Sequence, residues 1–369
     1  MDFQRMILFG ALGMVLLLLW QSWLEYESGK NNTGFNSNTS MSASSGTAQN
    51  GAIGTNVEAD DVPQAPTASA APETTDTPSA IPASQSLPGA RRITVETDLV
   101  RAEIDTQGGD LRHLGLLTYP VSLDQPDIPF VLLNDSGADL FLIQDGLLSA
   151  GQQAPNHHTV FSTNRQNVTL SPGEDSVQVH LDWTSDEGIL FRKTFIFHRN
   201  SYYVDVTFTV DNQSSEAWAG YRYSQILRTQ VAEPSSGFGF LGRLPSYKGG
   251  ARFTPEDKYQ KIDFEEMYEE NLARSTTSGW VAMLQHYFVG ALLPSSGTGY
   301  EFYSNVTRRD SGPRYLIGYK TTEPTTVPAG GSQTLQAKMY IGPKETERLI
   351  KADNQLELTV DYGWLTPVT

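Results

Sequence analysis

Polar and apolar residues alternate along much of the chain, and the alternation predicts strands. In Val177-Gln-Val-His-Leu-Asp-Trp183, Val177, Val179, Leu181 and Trp183 share one face, and Gln178, His180 and Asp182 share the other. Val204-Asp-Val-Thr-Phe-Thr-Val210 and Leu335-Gln-Ala-Lys-Met-Tyr-Ile341 repeat the pattern. Side chains of a strand point to opposite faces in turn, so this period of two marks antiparallel strands with one face toward a core. Gln107-Gly-Gly-Asp110, Ser171-Pro-Gly-Glu174 and Pro328-Ala-Gly-Gly331 separate them as turns. Strands at such short spacing, with few helical windows, predict a mainly β fold: a large antiparallel sandwich of roughly 250 residues. Helical signals are confined to two places. Phe264–Ala273 reads as a short acidic helix, and Pro343–Asp353 as a helix with proline in its first turn and Leu349 and Ile350 as its packed side. No repeat of fixed period is present.

One stretch breaks the alternation. Gly279-Trp-Val-Ala-Met-Leu-Gln-His-Tyr-Phe-Val-Gly290 is apolar nearly throughout, which reads as a central strand buried on both faces. A functional reading stands beside it, in which Trp280, Tyr287 and Phe288 border a cleft for a peptide or protein partner. Tyr259, from the preceding Lys258-Tyr-Gln-Lys-Ile262, belongs to the same candidate cleft.

The N-terminus follows a different logic. From Met6 to Leu24 nineteen residues carry no charge, close to the ~20 needed to cross the hydrocarbon core as a helix. Arg5 lies before the run and Glu25 and Glu27 after it, so the positive-inside rule keeps the N-terminus cytoplasmic and exports the rest. Trp20, Trp23 and Tyr26 read as an interfacial belt. A cleaved signal peptide would need small residues before the cut, and Gln21-Ser-Trp-Leu-Glu-Tyr-Glu27 supplies bulky ones. The predicted organisation is a signal-anchor over residues 1–27, a disordered Ser/Thr/Pro/Ala-rich linker over 28–90, the β domain over 91–342, and a C-terminal segment over 343–369.

Composition removes several classes of function. A net charge of −16 argues against nucleic acid as a partner. Without cysteine there is neither thiol chemistry nor a disulfide, and the domain must stand on its core alone. Gly237-Phe-Gly-Phe-Leu-Gly242 matches a dinucleotide fingerprint by letter, but Arg243-Leu-Pro245 and Lys248-Gly-Gly250 follow it where a helix should open, so it reads as a glycine-rich loop. Of six histidines only His157 and His158 are close in sequence. As neighbours in an Asn/Pro-rich segment they are expected to point apart, as surface imidazoles. His180 and His198 fall on polar strand faces, with Asp182 and Asp205 as the nearest carboxylates in register. No nucleophile elbow, P-loop or metalloprotease motif is present, and the residues suggest no catalytic group, cofactor or metal ligand.

A set of landmarks runs the length of the chain outside the linker. Met1-Asp-Phe-Gln-Arg5 and Trp20-Gln-Ser-Trp23 are followed by Thr106-Gln-Gly-Gly-Asp110, Phe191-Arg-Lys-Thr-Phe195 and Lys258-Tyr-Gln-Lys261. Gly279-Trp-Val-Ala-Met-Leu-Gln285, Ile341-Gly-Pro343 and Leu358-Thr-Val-Asp-Tyr-Gly-Trp-Leu365 complete the set. In order and spacing it resembles the YidC/Oxa/Alb family of membrane protein insertases in its Gram-negative form.

The resemblance implies an inner-membrane anchor, a large periplasmic β-supersandwich like that of galactose mutarotases, a short helix, and an amphipathic interfacial helix. The start of that last helix would be Asp361, Tyr362, Gly363, Trp364 and Leu365. It implies a non-enzymatic insertase and chaperone whose partners are the Sec translocon with its accessory subunits, nascent inner-membrane proteins and the lipid bilayer. The family's hydrophilic groove and its key arginine lie in five further membrane segments. No second hydrophobic span follows Leu24, so no groove residue carries over, and the chain is expected to be a fragment of a longer protein. Two other classes stay open: a periplasmic carbohydrate-binding or mutarotase-like domain, and a bitopic scaffold.

Overall fold

The alternation closes into two sheets. The computed structural model describes residues 61–65, 87, 89–230, 247–309, 312–350 and 355–360. The expected membrane span Met6–Leu24, the loop Gly237–Gly242 and the interfacial segment Asp361–Leu365 lie outside the described residues. Among the described residues no helix is long and apolar enough to cross a membrane.

The larger sheet has eleven strands. Its central members are Arg314–Thr321, Trp218–Thr229, Phe141–Leu148, Asp110–Ser122 and Val100–Asp105, side by side in that order. The smaller has eight, with Trp280–Leu284, Phe288–Pro294, Ser332–Pro343, Tyr203–Asn212, Ile189–His198 and Ser176–Thr184 adjacent in that order. Pairing is antiparallel except where Arg92–Glu96 meets Asn167–Thr169. Apolar residues of both sheets form one contiguous core, among them Ile104, Ile143, Ile226 and Ile317 from the larger and Val206, Phe208, Ala291 and Met339 from the smaller. The Tyr203–Asn212 strand follows the sequence pattern without a break, burying Val204, Val206, Phe208 and Val210.

Two expectations about local structure are corrected. The apolar run Gly279–Gly290 is not one strand but a hairpin, Trp280–Leu284 turning at Gln285–Tyr287 into Phe288–Pro294. The polar Gln285 and His286 interrupt a segment whose arms are both central, and periodicity is silent where both faces are buried. The C-terminal helix starts later than the proline suggested, at Thr346–Ile350, because Pro343 is still paired with Phe288. Leu349 is its packed residue, whereas Ile350 is exposed. The acidic helix forms at Phe264–Glu269, closed by an Asp263–Glu266 capping box. Residues from Ala273 onward join the edge of the larger sheet as strand Ala273–Thr276.

Three buried cations cross between the sheets. Arg222 extends from the larger sheet to the carbonyls of Val206 (3.1 Å) and Leu335 (2.9 Å) in the smaller, and its Nη2 meets Asp145 Oδ2 at 2.9 Å. Lys193 reaches back from the smaller sheet to the carbonyl oxygens of Asp145 (2.8 Å) and Gly108 (3.1 Å). Arg228 lies over the Phe141 ring and donates to Leu284 O at 3.0 Å. The predicted turn at Gln107–Asp110 serves this arrangement. Gly109 stands at φ +58°, and a Cβ there would come within 3.0 Å of the Lys193 stem.

A buried charge that loses its partner has no water to replace it. Arg222→Met is therefore expected to destabilise the fold by about 3–5 kcal/mol, the range for breaking a buried pair. Urea unfolding followed through the fluorescence of buried Trp218 and Trp280 measures it. Burial also pushes the Lys193 ammonium down to about 8, against ~10.4 for a free lysine. Above the free value both states are neutral at this group, and the penalty accrues as pH falls toward 8. Stability contributed by Lys193 should thus rise between pH 8 and about 10.4, a slope that Lys193→Met removes in parallel unfolding curves.

Candidate functional site

The strand that carries two of the three inter-sheet cations also builds the outer face. Along Trp218–Thr229 the even-numbered Arg222 and Arg228 reach the smaller sheet, so Tyr223, Gln225 and Leu227 face away from it. An outward face would ordinarily be wet, yet Tyr223 and Gln225 are 0% exposed and Leu227 only 2%. What covers them is the connection between the Phe141–Leu148 and Asn167–Thr169 strands, together with residues from the linker.

Gln225 is the centre of a polar row across three strands. Its amide donates to Gln144 Oε1 (2.9 Å) and accepts from the Tyr303 hydroxyl (2.8 Å). The same amide nitrogen donates to the backbone carbonyl of Asp61 at 3.0 Å. Farther along, Lys320 Nζ reaches the carbonyl of Gln64 at 3.3 Å. Asp61, Val62, Pro63 and Gln64 thus lie against Tyr303, Asn305, Leu316 and Lys320 around a small cavity of about 160 Å³. A second linker contact follows at Leu87, which packs on Leu140, Leu142, Leu227 and Leu316 and donates its N–H to Asp135 O. Both contacts come from a stretch whose composition reads as an unstructured tether. Composition averages over the stretch, whereas docking needs only a few residues whose backbone groups meet side-chain donors.

His157 and His158 stand over the same face. The expectation that they point apart at the surface is corrected: their ring centroids are 4.2 Å apart, and His157 is 1% exposed. Both Nε2 atoms approach one oxygen, Asp61 Oδ1, at 3.2 Å from His157 and 2.9 Å from His158. Tyr223 supports the pair, its hydroxyl lying 2.7 Å from His157 Nδ1 and accepting the His157 backbone N–H at 3.1 Å. Only glycine at 146 admits that phenol, because a Cβ there would fall 2.6 Å from the Tyr223 oxygen. A glycine inside the buried strand Phe141–Leu148 is the sequence signal of this close approach. Burial works to raise the Asp61 carboxyl, but the two imidazoles outweigh it and hold the group well below the usual carboxylate range. Burial keeps the Tyr223 phenol far above its ordinary value, so it remains neutral.

A separate groove of about 930 Å³ lies against the smaller sheet and the Thr346–Ile350 helix, bordered by Tyr202, Tyr203, Lys338 and Arg348. His198 pairs there with Asp205 at 2.6 Å, the partner expected from register. His180 instead meets Thr194 at 2.9 Å, and Asp182 turns to Arg192 at 2.7 Å.

The aromatics singled out from sequence are divided between two places. Trp280 is fully buried in the core beside Phe253 and Tyr259, its centroid 6.1 and 6.0 Å from theirs. Phe288 packs on Phe130 at the far end of the same hairpin, about 16 Å of strand away. Tyr287 is 68% exposed at the turn. Tyr259 and Trp280 lie together, and Tyr287 and Phe288 lie together.

A family profile described as the YidC periplasmic domain matches residues 92–369. Among curated proteins, "Membrane protein insertase YidC" of Methylococcus capsulatus is 41% identical over 280 residues, covering 76% of this chain and 50% of the relative. The protein of the same name from Methylobacillus flagellatus is 37% identical over 371 residues, covering 100% of this chain and 62% of the relative. The chain therefore spans between half and two thirds of the length of these relatives. Among solved structures it is similar to a galactose mutarotase related enzyme from Lactobacillus acidophilus, with TM-score 0.44 and 8% identity over 68% of this chain and 97% of that one. A galactose mutarotase-like protein from Lactobacillus casei gives TM-score 0.42 and 12% identity over 68% of this chain and 99% of that one.

The polar row sets how firmly the linker is held. Gln225→Leu removes the donor to Asp61 O and is expected to weaken docking by about 1–2 kcal/mol. Amide exchange at residues 61–65 should rise roughly 5- to 30-fold. Exchange unchanged from wild type would mean that this contact does not hold the segment.

Proposed function

The chain belongs to the YidC family, matching its periplasmic domain, and from that premise we propose that the protein acts as a membrane protein insertase and chaperone of the bacterial inner membrane. The observation that carries this reading is the family match over residues 92–369, preceded by nineteen uncharged residues suited to a membrane span. In the proposed topology Arg5 keeps the N-terminus cytoplasmic and the two-sheet domain is periplasmic. Insertion itself is assigned to membrane segments beyond this chain, whose hydrophilic groove would shelter polar parts of a client and reduce their desolvation cost in the bilayer. The interfacial residues Asp361–Leu365 would lead into those segments.

The periplasmic domain is proposed to hold partners: the Sec translocon with its accessory subunits, or emerging loops of nascent membrane proteins. Its acidic balance disfavours the anionic lipid surface and favours basic or apolar partners. The groove bordered by Tyr202, Tyr203 and Arg348 is the surface proposed for this, since it combines aromatic faces with charge of both signs. The grouping of Tyr259 with Trp280 is proposed only to support the core beneath the Lys258–Ile262 edge strand. A carbohydrate-binding reading needs histidine and carboxylate around an open cleft. Of the two such pairs described above, Asp61 with His157 and His158 is covered by the linker itself, and His198 with Asp205 lines the groove, where sugar binding would be the competing reading.

Depletion of the native protein from cells is expected to leave inner-membrane clients uninserted, as read by protease accessibility of their exported loops. Unchanged insertion would overturn the insertase reading. Excising residues 92–343 from the native protein should reduce copurification of the Sec translocon, and full recovery of both copurification and insertion would rule out a partner-holding domain.

A further inference from the structure

We propose that Asp61, His157 and His158 form a binding site for one divalent transition-metal ion of the zinc class, which fastens the linker to the β domain. One ligand atom from each side chain lies within 4.8 Å of the other two. Asp61 Oδ1 is 3.2 Å from His157 Nε2 and 2.9 Å from His158 Nε2. A tetrahedral zinc ion with bonds of ~2.0–2.1 Å places neighbouring ligand atoms roughly 3.3 Å apart, so these separations already approach those of a coordination shell.

Direction supplies a second, independent observation. His158 Nε2 hydrogen-bonds Asp61 Oδ1 at 2.9 Å, whereas His157 Nε2, buried and 3.2 Å from the same oxygen, makes no hydrogen bond among the described residues. Hydrogen-bonded groups aim at each other, whereas ligands of one ion aim at a common centre and therefore point off the line that joins them. A buried ring nitrogen left without a hydrogen-bond partner is costly, and a coordinated cation would satisfy it. The other face of His157 has the support that metal-bound histidines ordinarily receive, with Nδ1 held 2.7 Å from the Tyr223 hydroxyl. The donor set selects the class of ion. Two imidazoles and one carboxylate suit zinc, nickel, copper or ferrous iron, whereas magnesium and calcium prefer oxygen alone.

Coordination would convert a weak contact into a closed loop of chain. Asp61 lies 96 residues before His157, and without an ion the segment is held by the His158 contact to its carboxylate and the Gln225 and Lys320 donors to backbone carbonyls. An ion bound only when Asp61 is docked stabilises the docked state in proportion to its occupancy. Metal availability would thereby set how much linker is free between the anchor and the domain.

The test uses the whole chain in detergent, stripped with a chelator. Zn²⁺ alone is titrated by calorimetry, and Co²⁺ by visible absorption. The expected result is one equivalent bound per chain with a tetrahedral cobalt spectrum. Tyr223→Phe should weaken binding by about 10- to 100-fold, as loss of an outer partner does, while Asp61→Ala and His158→Ala should weaken it by more than that. The melting curve of each variant is recorded without metal, so that lost zinc uptake in a folded protein is read apart from unfolding. Zinc should also slow amide exchange at residues 61–65 in the wild type and not in Asp61→Ala. No stoichiometric uptake, uptake undiminished in Asp61→Ala and His158→Ala, or exchange at 61–65 indifferent to zinc would each overturn the proposal.

Discussion

The sandwich depends on charge carried through its middle. Arg222 joins Asp145 to carbonyls of the opposite sheet, Lys193 returns the connection to Gly108 and Asp145, and Arg228 adds a third crossing. Such groups do not earn their place as stability alone, since well-packed apolar residues often do as well. Their geometric effect is different. Apolar faces slide over one another at little penalty, whereas a buried guanidinium whose donors need particular carbonyls tolerates few arrangements. The inter-sheet cations therefore fix how the two sheets are laid together.

That constraint propagates to the outer face. With Arg222 and Arg228 turned inward, Tyr223, Gln225 and Leu227 can only turn outward, because a strand alternates. The outward set is a phenol, an amide and a leucine, and each finds a separate cover: His157, Asp61 and Leu87 respectively. One strand thus organises both the core clamp and the surface that receives the linker. The domain extends beyond its first strand at Arg92 to include pieces of the Ser/Thr/Pro/Ala-rich stretch that precedes it.

Much was legible from residue order. The strands of the smaller sheet appear wherever one face is buried and the other wet, as in Tyr203–Asn212. The turns at Gly108, Gly173 and Gly330 appear where glycine takes a positive φ. The acidic helix was visible from its apolar and charged residues. Legibility failed where both faces are covered, as at the Trp280–Phe288 hairpin, where period two disappears and only a weak polar break marks the turn. It failed again where a helix cue was overruled by pairing, Pro343 remaining in its strand.

Sequence by itself determined the class of fold, the uncharged N-terminal run and the family, because these rest on local periodicity, local composition and the order of short motifs. Tertiary structure alone decided that Lys193, Arg222 and Arg228 are core residues, and that Trp280 and Phe288 lie at opposite ends of a hairpin. It alone brought Asp61 to the His157–His158 pair. The physical reason is the same in each case. Burial, partnership and the meeting of ligand atoms depend on contacts between residues distant in the chain, and no local pattern encodes which distant carbonyl or carboxylate will be at hand when the sheets close.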